Sequence, residues 1–408
     1  MRRRSGLIAV TAVVGPGVLA GLSDDDPAGI TTYSILGADH GYRLLWILLL
    51  STVALVMFHE LGARMGCVTG QGLAGLIRQR YGVRLAAVAL LALVIANVGT
   101  TCAEFAGVAA SLELADITRY LSVPIAALGV SLLVLRGSFH RIEHVLLALG
   151  AVFATYIISG VLAGPDWGSA AKGLVVPHLP LTRDAILLAT ATVGTTLAPW
   201  GLAFIQSYAV DKRLSPRDLG YERIDVIVGA VMTGVIGAFV IIACAATLHK
   251  DGRSINDAAD AALALKPLAG SLASTLFGAG LLGAALLAAS ILPLSTAYSV
   301  GEAFGYESAL DDRVRDAPLF YGTYAVVVVL AVAIVLIPGA PLVPILYLTQ
   351  TLNALLLLPL LVFIYGISRD RDLMGEHANG PLGAGASLIT IALLAVCVSA
   401  LGIATFLP

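Results

Sequence analysis

Charged residues are scarce in this chain of 408 residues, since only 12% of them are Asp, Glu, Lys or Arg. Soluble globular proteins carry about 25% charged residues, so the charge is too sparse to cover the surface of soluble domains of this total length. The apolar share is 58% and the mean hydropathy is +0.93. At about 20 to 25 apolar residues per helical crossing, the chain accommodates about ten to twelve crossings. We therefore predict an all-α polytopic membrane protein.

Other features that the sequence lacks exclude further classes. The net charge is −2 at pH 7, so no basic character indicates a nucleic-acid partner. The four cysteines are isolated and no CxxC pair occurs, which excludes a disulfide framework and a thiolate metal cluster. No cleavable signal is evident, because the basic residues at positions 2–4 lead into a hydrophobic segment that contains polar residues.

Apolar runs between polar residues predict eleven transmembrane helices, of which the first and the sixth are interrupted. Their approximate extents are 7–37, 44–63, 85–111, 122–135, 144–163, 185–210, 224–247, 270–304, 319–337, 343–366 and 382–406. Seventeen of the 24 basic residues fall in the connections on the side of the N-terminus. We predict that the protein lies in the cell (inner) membrane. The positive-inside rule then places its N-terminus in the cytoplasm and its C-terminus outside.

The most informative stretch runs from Gly15 to Ile30, where three aspartates interrupt a hydrophobic segment. An ionisable residue inside a span costs at least about 2.5 kcal/mol and indicates a functional site by default. Pro27 removes a backbone donor and Gly29 weakens the helix further. We predict a broken helix whose free carbonyls and carboxylates line a cation site. The alternative is that the span ends at Leu22 and the aspartates form a solvated loop.

A second break of the same form is predicted at Pro199, in the sixth span. Broken helices at corresponding places in two halves indicate the binding site of a transporter. The halves are a first repeat at about 1–163 and a second at about 185–366, with an additional helix at about 382–406. All of them belong to one transmembrane domain.

Other polar residues inside the spans have two interpretations each. Glu104 in the third span extends a polar path from the site or is simply hydrogen-bonded within the bundle. Gln350 in the tenth span binds a cation or water, or joins two helices. His59 and Glu60 open like a HExxH zinc motif, but position 63 is Ala. We therefore predict only structural interactions for these two residues, near the cytoplasmic end of the second span.

The chain resembles the Nramp (natural resistance-associated macrophage protein) family of divalent-metal transporters over most of its length. The resemblance is most specific in Gly15-Pro16-Gly17 through Asp26-Pro27, in Gly41-Tyr42-Arg43-Leu44-Leu45-Trp46 and in Ala103-Glu104-Phe105. It implies a LeuT-type fold with two inverted five-helix repeats and a metal ion bound between helices one and six, which are unwound at mid-membrane. It also implies that Asp26 is the central ligand, that Thr195 offers a backbone carbonyl and that Gln350 is the helix-ten amide.

The residues and the resemblance together define the predicted site. Its metal ligands are Asp26, Asp24, Asp25, Gly29, Thr195, Ala198 and Gln350. Glu104, Thr101 and Trp200 are expected beside these ligands or along the ion path, and the helix breaks are expected at Pro27 and Pro199. No catalytic residue and no cofactor are expected, because the metal ion is the transported substrate.

Departures from the family pattern suggest which metal is carried. Gly29 replaces the asparagine of the DPGN motif, while Ala198 and Trp200 replace the methionine and the histidine of the MPH motif. These replacements resemble the Nramp-related magnesium transporters. Losing the thioether gives up discrimination in favour of softer metals, and the small residues predict a roomy site for a partly hydrated Mg²⁺. With Thr101 at an expected acid position, groups suited to a proton relay are missing.

We therefore expect a secondary transporter that imports Mg²⁺, and also Mn²⁺, without proton coupling. The main alternative is a proton-coupled Mn²⁺ or Fe²⁺ transporter of the ordinary Nramp type. An amino-acid transporter of LeuT fold is disfavoured by the three aspartates. An intramembrane hydrolase is disfavoured by the incomplete HExxH motif, and a metal sensor or channel stays open. The expected partners are a divalent metal ion and the bilayer, and a monomer is compatible with the sequence.

Overall fold

The computed structural model describes residues 16–136, 154–256, 258–263, 270, 273–306 and 314–406, and these ranges are helical with no β-strand. The helices are α1 (Pro16–Asp24), α2 (Pro27–His40), α3 (Leu45–Thr69), α4 (Leu73–Tyr81), α5 (Val83–Glu113), α6 (Arg119–Arg136), α7 (Ala154–Leu162), α8 (Trp167–Val175), α9 (Arg183–Thr196), α10 (Pro199–Asp211), α11 (Leu219–Cys244), α12 (Ala258–Ala262), α13 (Ala273–Phe304), α14 (Pro318–Val335), α15 (Leu342–Ser368), α16 (Arg371–Met374) and α17 (Pro381–Phe406). A π-helical turn, Ala245–His249, continues α11, and a 3₁₀ turn, Gly375–His377, follows α16.

Eight helical segments in the described ranges are long and apolar enough to cross a membrane, with α9 and α10 together forming one of them. They correspond to the second, third, sixth to tenth and eleventh predicted spans. The first predicted span consists of α1 and α2, with 9 and 14 residues, and the fourth is the shorter apolar helix α6. The fifth predicted span, 144–163, is described only from residue 154 onwards, and its first part lies outside the described residues.

Both predicted helix breaks are confirmed. The first lies between the end of α1 at Asp24 and the start of α2 at Pro27. The second lies between the end of α9 at Thr196 and the start of α10 at Pro199. Each proline occupies the first position of the new helix, where its fixed φ suits a helix start and its missing N–H leaves no unsatisfied donor. The prolines therefore determine where the chain reopens.

The two broken helices lie in the interior of the bundle. In the α9–α10 segment 89% of the apolar window is buried, against 17% in the last span, Pro381–Ile403. Gly21 of α1 packs directly on Gly229 of α11, because neither residue has a side chain to hold the backbones apart. The Tyr33 hydroxyl of α2 and the Thr196 hydroxyl of α9 are 2.9 Å apart and share a hydrogen bond. Both breaks therefore lie between packed helices, in the interior of the bundle.

Candidate metal site at the helix breaks

Asp26 is the residue that closes the first break. Its side chain caps α2, because its Oδ1 atom accepts a hydrogen bond of 2.5 Å from the Gly29 backbone N–H. The Asp26 residue is only 3% exposed. The positive end of the α2 dipole favours a negative charge at this position. The sequence thus holds a buried carboxylate at the start of a helix, where it can also bind a cation.

Gly29 does not enlarge the site, and this part of the sequence-based prediction is wrong. A Cβ atom at position 29 would lie 2.9 Å from the Asp24 carbonyl oxygen and 3.0 Å from Thr195 Oγ1. The neighbouring chain has therefore filled the space that an asparagine side chain would need. The same contact brings together three oxygens, since Asp26 Oδ1 is 3.2 Å from that point. Gly29 acts by allowing close approach rather than by leaving a void.

Thr195 offers two oxygens on the opposite side of this point. Its hydroxyl has no hydrogen-bond partner among the described residues and faces Gly29. Its carbonyl would normally accept a hydrogen bond from the N–H four residues later, but that residue is Pro199. Ala198 precedes this proline with an extended backbone and no side-chain cap. The second break therefore presents the oxygens of Thr195, whereas the Ala198 carbonyl accepts a 3.2 Å hydrogen bond from the Gly201 N–H. Metal binding by Thr195 and Ala198 stays a prediction.

Asp24 and Asp25 are buried, with 1% and 0% of their surface exposed. None of their four carboxylate oxygens has a hydrogen-bond partner within the described part of the chain. The alternative of a solvated loop is therefore wrong. A buried carboxylate without a hydrogen bond is strongly destabilising unless a cation or a proton neutralises it. Across the described ranges, however, no three His, Cys, Asp or Glu side chains converge closely enough to hold a metal ion without other ligands.

Glu104 of α5 lies beside Asp26, and its side chain is fully buried. The two helices approach closely one turn after Glu104, where Gly107 has no side chain and the Pro27 ring packs against the α5 backbone. This close packing brings Glu104 and Asp26 together. Thr101 does not point a free hydroxyl at this pair, because its Oγ1 donates a 2.7 Å hydrogen bond to the Asn97 carbonyl of its own helix. Of the two α5 positions expected on the ion path, the acid at position 104 is the one beside the site.

Gln350 of α15 is buried next to the last turns of α9, where its backbone carbonyl packs on Gly194. Its side-chain oxygen accepts a 2.9 Å hydrogen bond from Asn353, which also donates to the Thr100 hydroxyl. The carbonyl that we expected to bind the ion or its water is therefore engaged within the protein. Asn353 is the partner that the sequence interpretation missed. Its spacing of three residues from Gln350 is the signal that places both on one helix face.

Trp200 fills the position of the family histidine with an indole ring that is 1% exposed. Its backbone carbonyl accepts a 2.9 Å hydrogen bond from Ser295 of α13, and its ring lies 6.3 Å from that of Phe204. The indole N–H has no partner among the described residues. Trp200 therefore packs the start of α10 against the bundle and supplies no nitrogen lone pair to a cation.

His59 is the residue near the site that sequence reasoning missed. It lies in the middle of α3, fully buried, and neither ring nitrogen has a hydrogen-bond partner within the described chain. A Cβ atom placed on Gly201 would lie 3.2 Å from His59 Nε2 and 3.5 Å from Asp24 Oδ1. The structural prediction made for the pair applies to Glu60, which forms ion pairs with Arg64 and Arg223.

Comparisons with known proteins agree with this architecture. Residues 17–404 match a family model described as natural resistance-associated macrophage protein-like. A divalent metal cation transporter MntH of Burkholderia ambifaria is 31% identical over 69% of this chain and 66% of the relative. The MntH protein of Aeromonas hydrophila is 28% identical over 94% of this chain and 93% of the relative. The chain thus aligns with slightly less than two thirds of the first relative and with nearly all of the second.

Solved structures show the same fold at lower identity. A manganese transporter of Eremococcus coleocola superposes with a TM-score of 0.79 at 20% identity, covering 98% of this chain and 89% of that chain. MhsT, solved in complex with L-phenylalanine, gives a TM-score of 0.64 at 15% identity, covering 98% of this chain and 99% of that chain. The LeuT-type arrangement, with both breaks inside the bundle, is therefore the fold of this chain.

Proposed function

Because this chain belongs to the Nramp family, we propose that it is a secondary transporter that imports divalent metal cations, chiefly Mg²⁺ and also Mn²⁺, by alternating access. The observation that carries the proposal is the buried carboxylate of Asp26 at the start of α2, opposite the free oxygens of Thr195. Carboxylate, hydroxyl and carbonyl oxygens are the ligands that hard divalent cations prefer. The relatives named above are transporters rather than enzymes, and no enzymatic activity is proposed.

The preference for Mg²⁺ rests on the kind of ligand rather than on the size of the cavity. Ala198 places a methyl group where the family motif has a thioether, and a thioether favours softer metals over Mg²⁺. The donors that surround Gly29 are all oxygens. Mg²⁺ dehydrates reluctantly and binds proteins through one or two carboxylates while keeping several waters. A site with one well-placed carboxylate and few other side-chain donors suits that behaviour.

The membrane potential can drive this uptake without protons. A divalent ion that enters a cell gains about 4.6 kcal/mol per 100 mV of inside-negative potential. The distribution of Lys and Arg supports a cytoplasmic N-terminus in the cell (inner) membrane and an extracytoplasmic C-terminus. Trp200 and Thr101 replace two groups that could relay protons, which supports the absence of coupling.

A second candidate function is proton-coupled transport of Mn²⁺ or Fe²⁺. The observation that favours it is Glu104 beside Asp26, because two neighbouring carboxyl groups can share a proton that a metal ion displaces. Uptake into proteoliposomes that contain a pH-sensitive dye separates the two candidates. Mg²⁺ uptake without internal acidification supports the first candidate, whereas acidification that requires added metal supports the second.

Competition provides an independent test of the preferred metal. Uptake of trace Mn²⁺ that millimolar Mg²⁺ abolishes supports a site for both ions. Uptake of Mn²⁺ that is indifferent to millimolar Mg²⁺ contradicts the proposed Mg²⁺ transport. A flux that saturates with metal concentration supports a carrier rather than a pore.

A further inference from the structure

His59 presents a problem that the proposed function does not solve. A neutral imidazole has one N–H donor and one nitrogen acceptor, and the side chain is completely buried in the middle of α3. Neither nitrogen has a hydrogen-bond partner in the described structure. Leaving such groups buried without partners is destabilising, because they lose the hydrogen bonds that water would have supplied. A buried side chain of this kind calls for a ligand.

The side chain across from His59 is in the same condition. Asp24 ends α1, is 1% exposed, and has no hydrogen bond to either carboxylate oxygen within the described ranges. Asp24 Oδ1 and His59 Nε2 both lie within 3.5 Å of the point where a Gly201 side chain would begin. Three separate helices, α1, α3 and α10, thus place a carboxylate, an imidazole and a residue without a side chain around one small volume.

The two side chains do not bind each other directly, since neither has a hydrogen bond to the other. Their chemistry is complementary to a third group that both could contact. A carboxylate oxygen and a neutral imidazole nitrogen are both electron-pair donors, and together they are common ligands of first-row divalent metals. A metal ion between them satisfies the buried negative charge and one ring nitrogen at the same time.

We propose that His59 and Asp24 form a second binding station for a transition-metal ion such as Mn²⁺, adjacent to the Asp26 site. This inference rests on the proposed function, because it assigns the station to the ion path of a divalent-metal transporter. Asp24 belongs to the helix before the first break and Gly201 to the helix after the second. Asp26 and Thr195 belong to the opposite sides of the same two breaks. The second station therefore lies next to the Asp26 site on the ion path, displaced toward the membrane side on which α1 begins.

The second station adds selectivity for transition metals to the proposed substrate range. Imidazole nitrogen binds first-row transition metals such as Fe²⁺ and Zn²⁺ well, whereas Mg²⁺ strongly prefers oxygen. Two protein side chains leave room for backbone oxygens and waters to complete the coordination of Mn²⁺. The Asp26 site, built from oxygens, accepts both Mg²⁺ and Mn²⁺, and the His59 station retains Mn²⁺ more strongly than Mg²⁺. Discrimination between the metals thus comes from a different helix than the one that carries the family histidine.

The test uses the purified full-length protein with Mn²⁺ alone as the probe. Pulsed electron paramagnetic resonance detects the modulation that a directly bound imidazole nitrogen imposes on the Mn²⁺ signal. The expected result is nitrogen modulation in the native protein that disappears in His59→Gln and persists in His178→Gln. His178 is a matched control because it is an exposed histidine outside the helices. Mn²⁺ bound without nitrogen modulation, or modulation retained in His59→Gln, overturns the proposal.

Transport provides the second readout. We expect His59→Gln to weaken Mn²⁺ uptake by at least about tenfold, since changes around metal ligands typically cost 10 to 100-fold, while Mg²⁺ uptake changes little. Equal losses for both metals would overturn the selectivity assigned to His59. Thermal unfolding of the variant in detergent identifies a folding defect. Nitrogen modulation without flux of either metal would contradict the proposed transport function alone, and flux without modulation would contradict the station alone.

Discussion

The two helix breaks have the same backbone design but opposite chemistry. Each begins where a helix ends and closes where a proline starts the next helix. The first break contains carboxylates and is capped by the side chain of Asp26, whereas the second contains Leu197 and Ala198 and has no side-chain cap. Proline therefore decides where the backbone opens, and the neighbouring side chains decide what the opening can bind.

This difference assigns unequal roles to the breaks. In the proposed site the first break supplies the negative charge that attracts the cation, and this charge must be neutralised inside the bundle. The second break is proposed to supply neutral oxygens that complete the coordination without adding charge.

Removing the charge of the first break should have the largest effect. We expect Asp26→Ala to reduce metal uptake into proteoliposomes by about 100-fold or more, because even supporting groups around a metal cost 10 to 100-fold. Asp39→Ala is the matched control, since Asp39 lies on the same helix and is exposed. Uptake that survives in Asp26→Ala would remove Asp26 from the centre of the site.

Restoring the missing N–H groups should affect the second break more than the first. Pro199→Ala provides a donor for the Thr195 carbonyl and removes an interruption worth about 3 kcal/mol in a helix interior. We expect uptake to fall by about tenfold, or about 1.4 kcal/mol. Pro27→Ala should lower uptake only about threefold, because the Asp26 cap, worth about 1 kcal/mol, still starts α2 there.

The measurement is initial uptake rate for both variants at equal protein density in the vesicles. A larger loss in Pro27→Ala than in Pro199→Ala would contradict the idea that the side-chain cap alone can maintain the first break.

Adding a soft ligand to the second break should change selectivity rather than activity. We expect Ala198→Met to shift the ratio of Mn²⁺ to Mg²⁺ uptake toward Mn²⁺ by about fivefold, or about 1 kcal/mol. Ala198→Leu is the control for the added volume, since Ala198 is 2% exposed and its surroundings are packed. If the leucine variant shifts the ratio equally, the thioether has no part in the change.

The smallest effect is expected at Thr101, which is uncharged and lies on α5, outside both breaks. Its hydroxyl bonds to the Asn97 carbonyl in its own helix, and such internal bonds contribute little to helix stability. We expect Thr101→Val to change uptake by less than about twofold, or about 0.4 kcal/mol. A tenfold loss in the same uptake assay would place the Thr101 hydroxyl on the ion path.

The parts of the fold that depend on local chemistry could be predicted from the sequence. Pro27 and Pro199 act through their own backbone geometry, so both breaks were predicted at the residues where they occur. The burial of Asp24 followed from the hydrophobic residues around it. The overall span pattern was also readable, although α1 and α2 show that a broken span divides into helices too short to recognise individually.

The parts that depend on tertiary contacts could not be predicted in the same way. Gly29 was expected to leave a void, but whether a missing side chain leaves a void or draws neighbours closer depends on how those neighbours pack. His59 is 35 residues from Asp24 in the sequence, and no local sequence pattern predicts that α3 places it across from Asp24. The spacing of Gln350 and Asn353 predicts that they share a helix face. It does not predict that Asn353 donates its hydrogen bond to the Gln350 side-chain oxygen.

The hydrogen bond between Tyr33 and Thr196 has a mechanical consequence. It connects α2, which follows the first break, to α9, which precedes the second. In the alternating access proposed for this chain, these two helices move together and the two prolines mark the ends of their pivot. An ion at Asp26 lies near that pivot, where the displacement is smallest, while the far ends of the helices sweep the greatest distance. In the proposed transport cycle the bound ion therefore moves little, while the helices around it open and close the path.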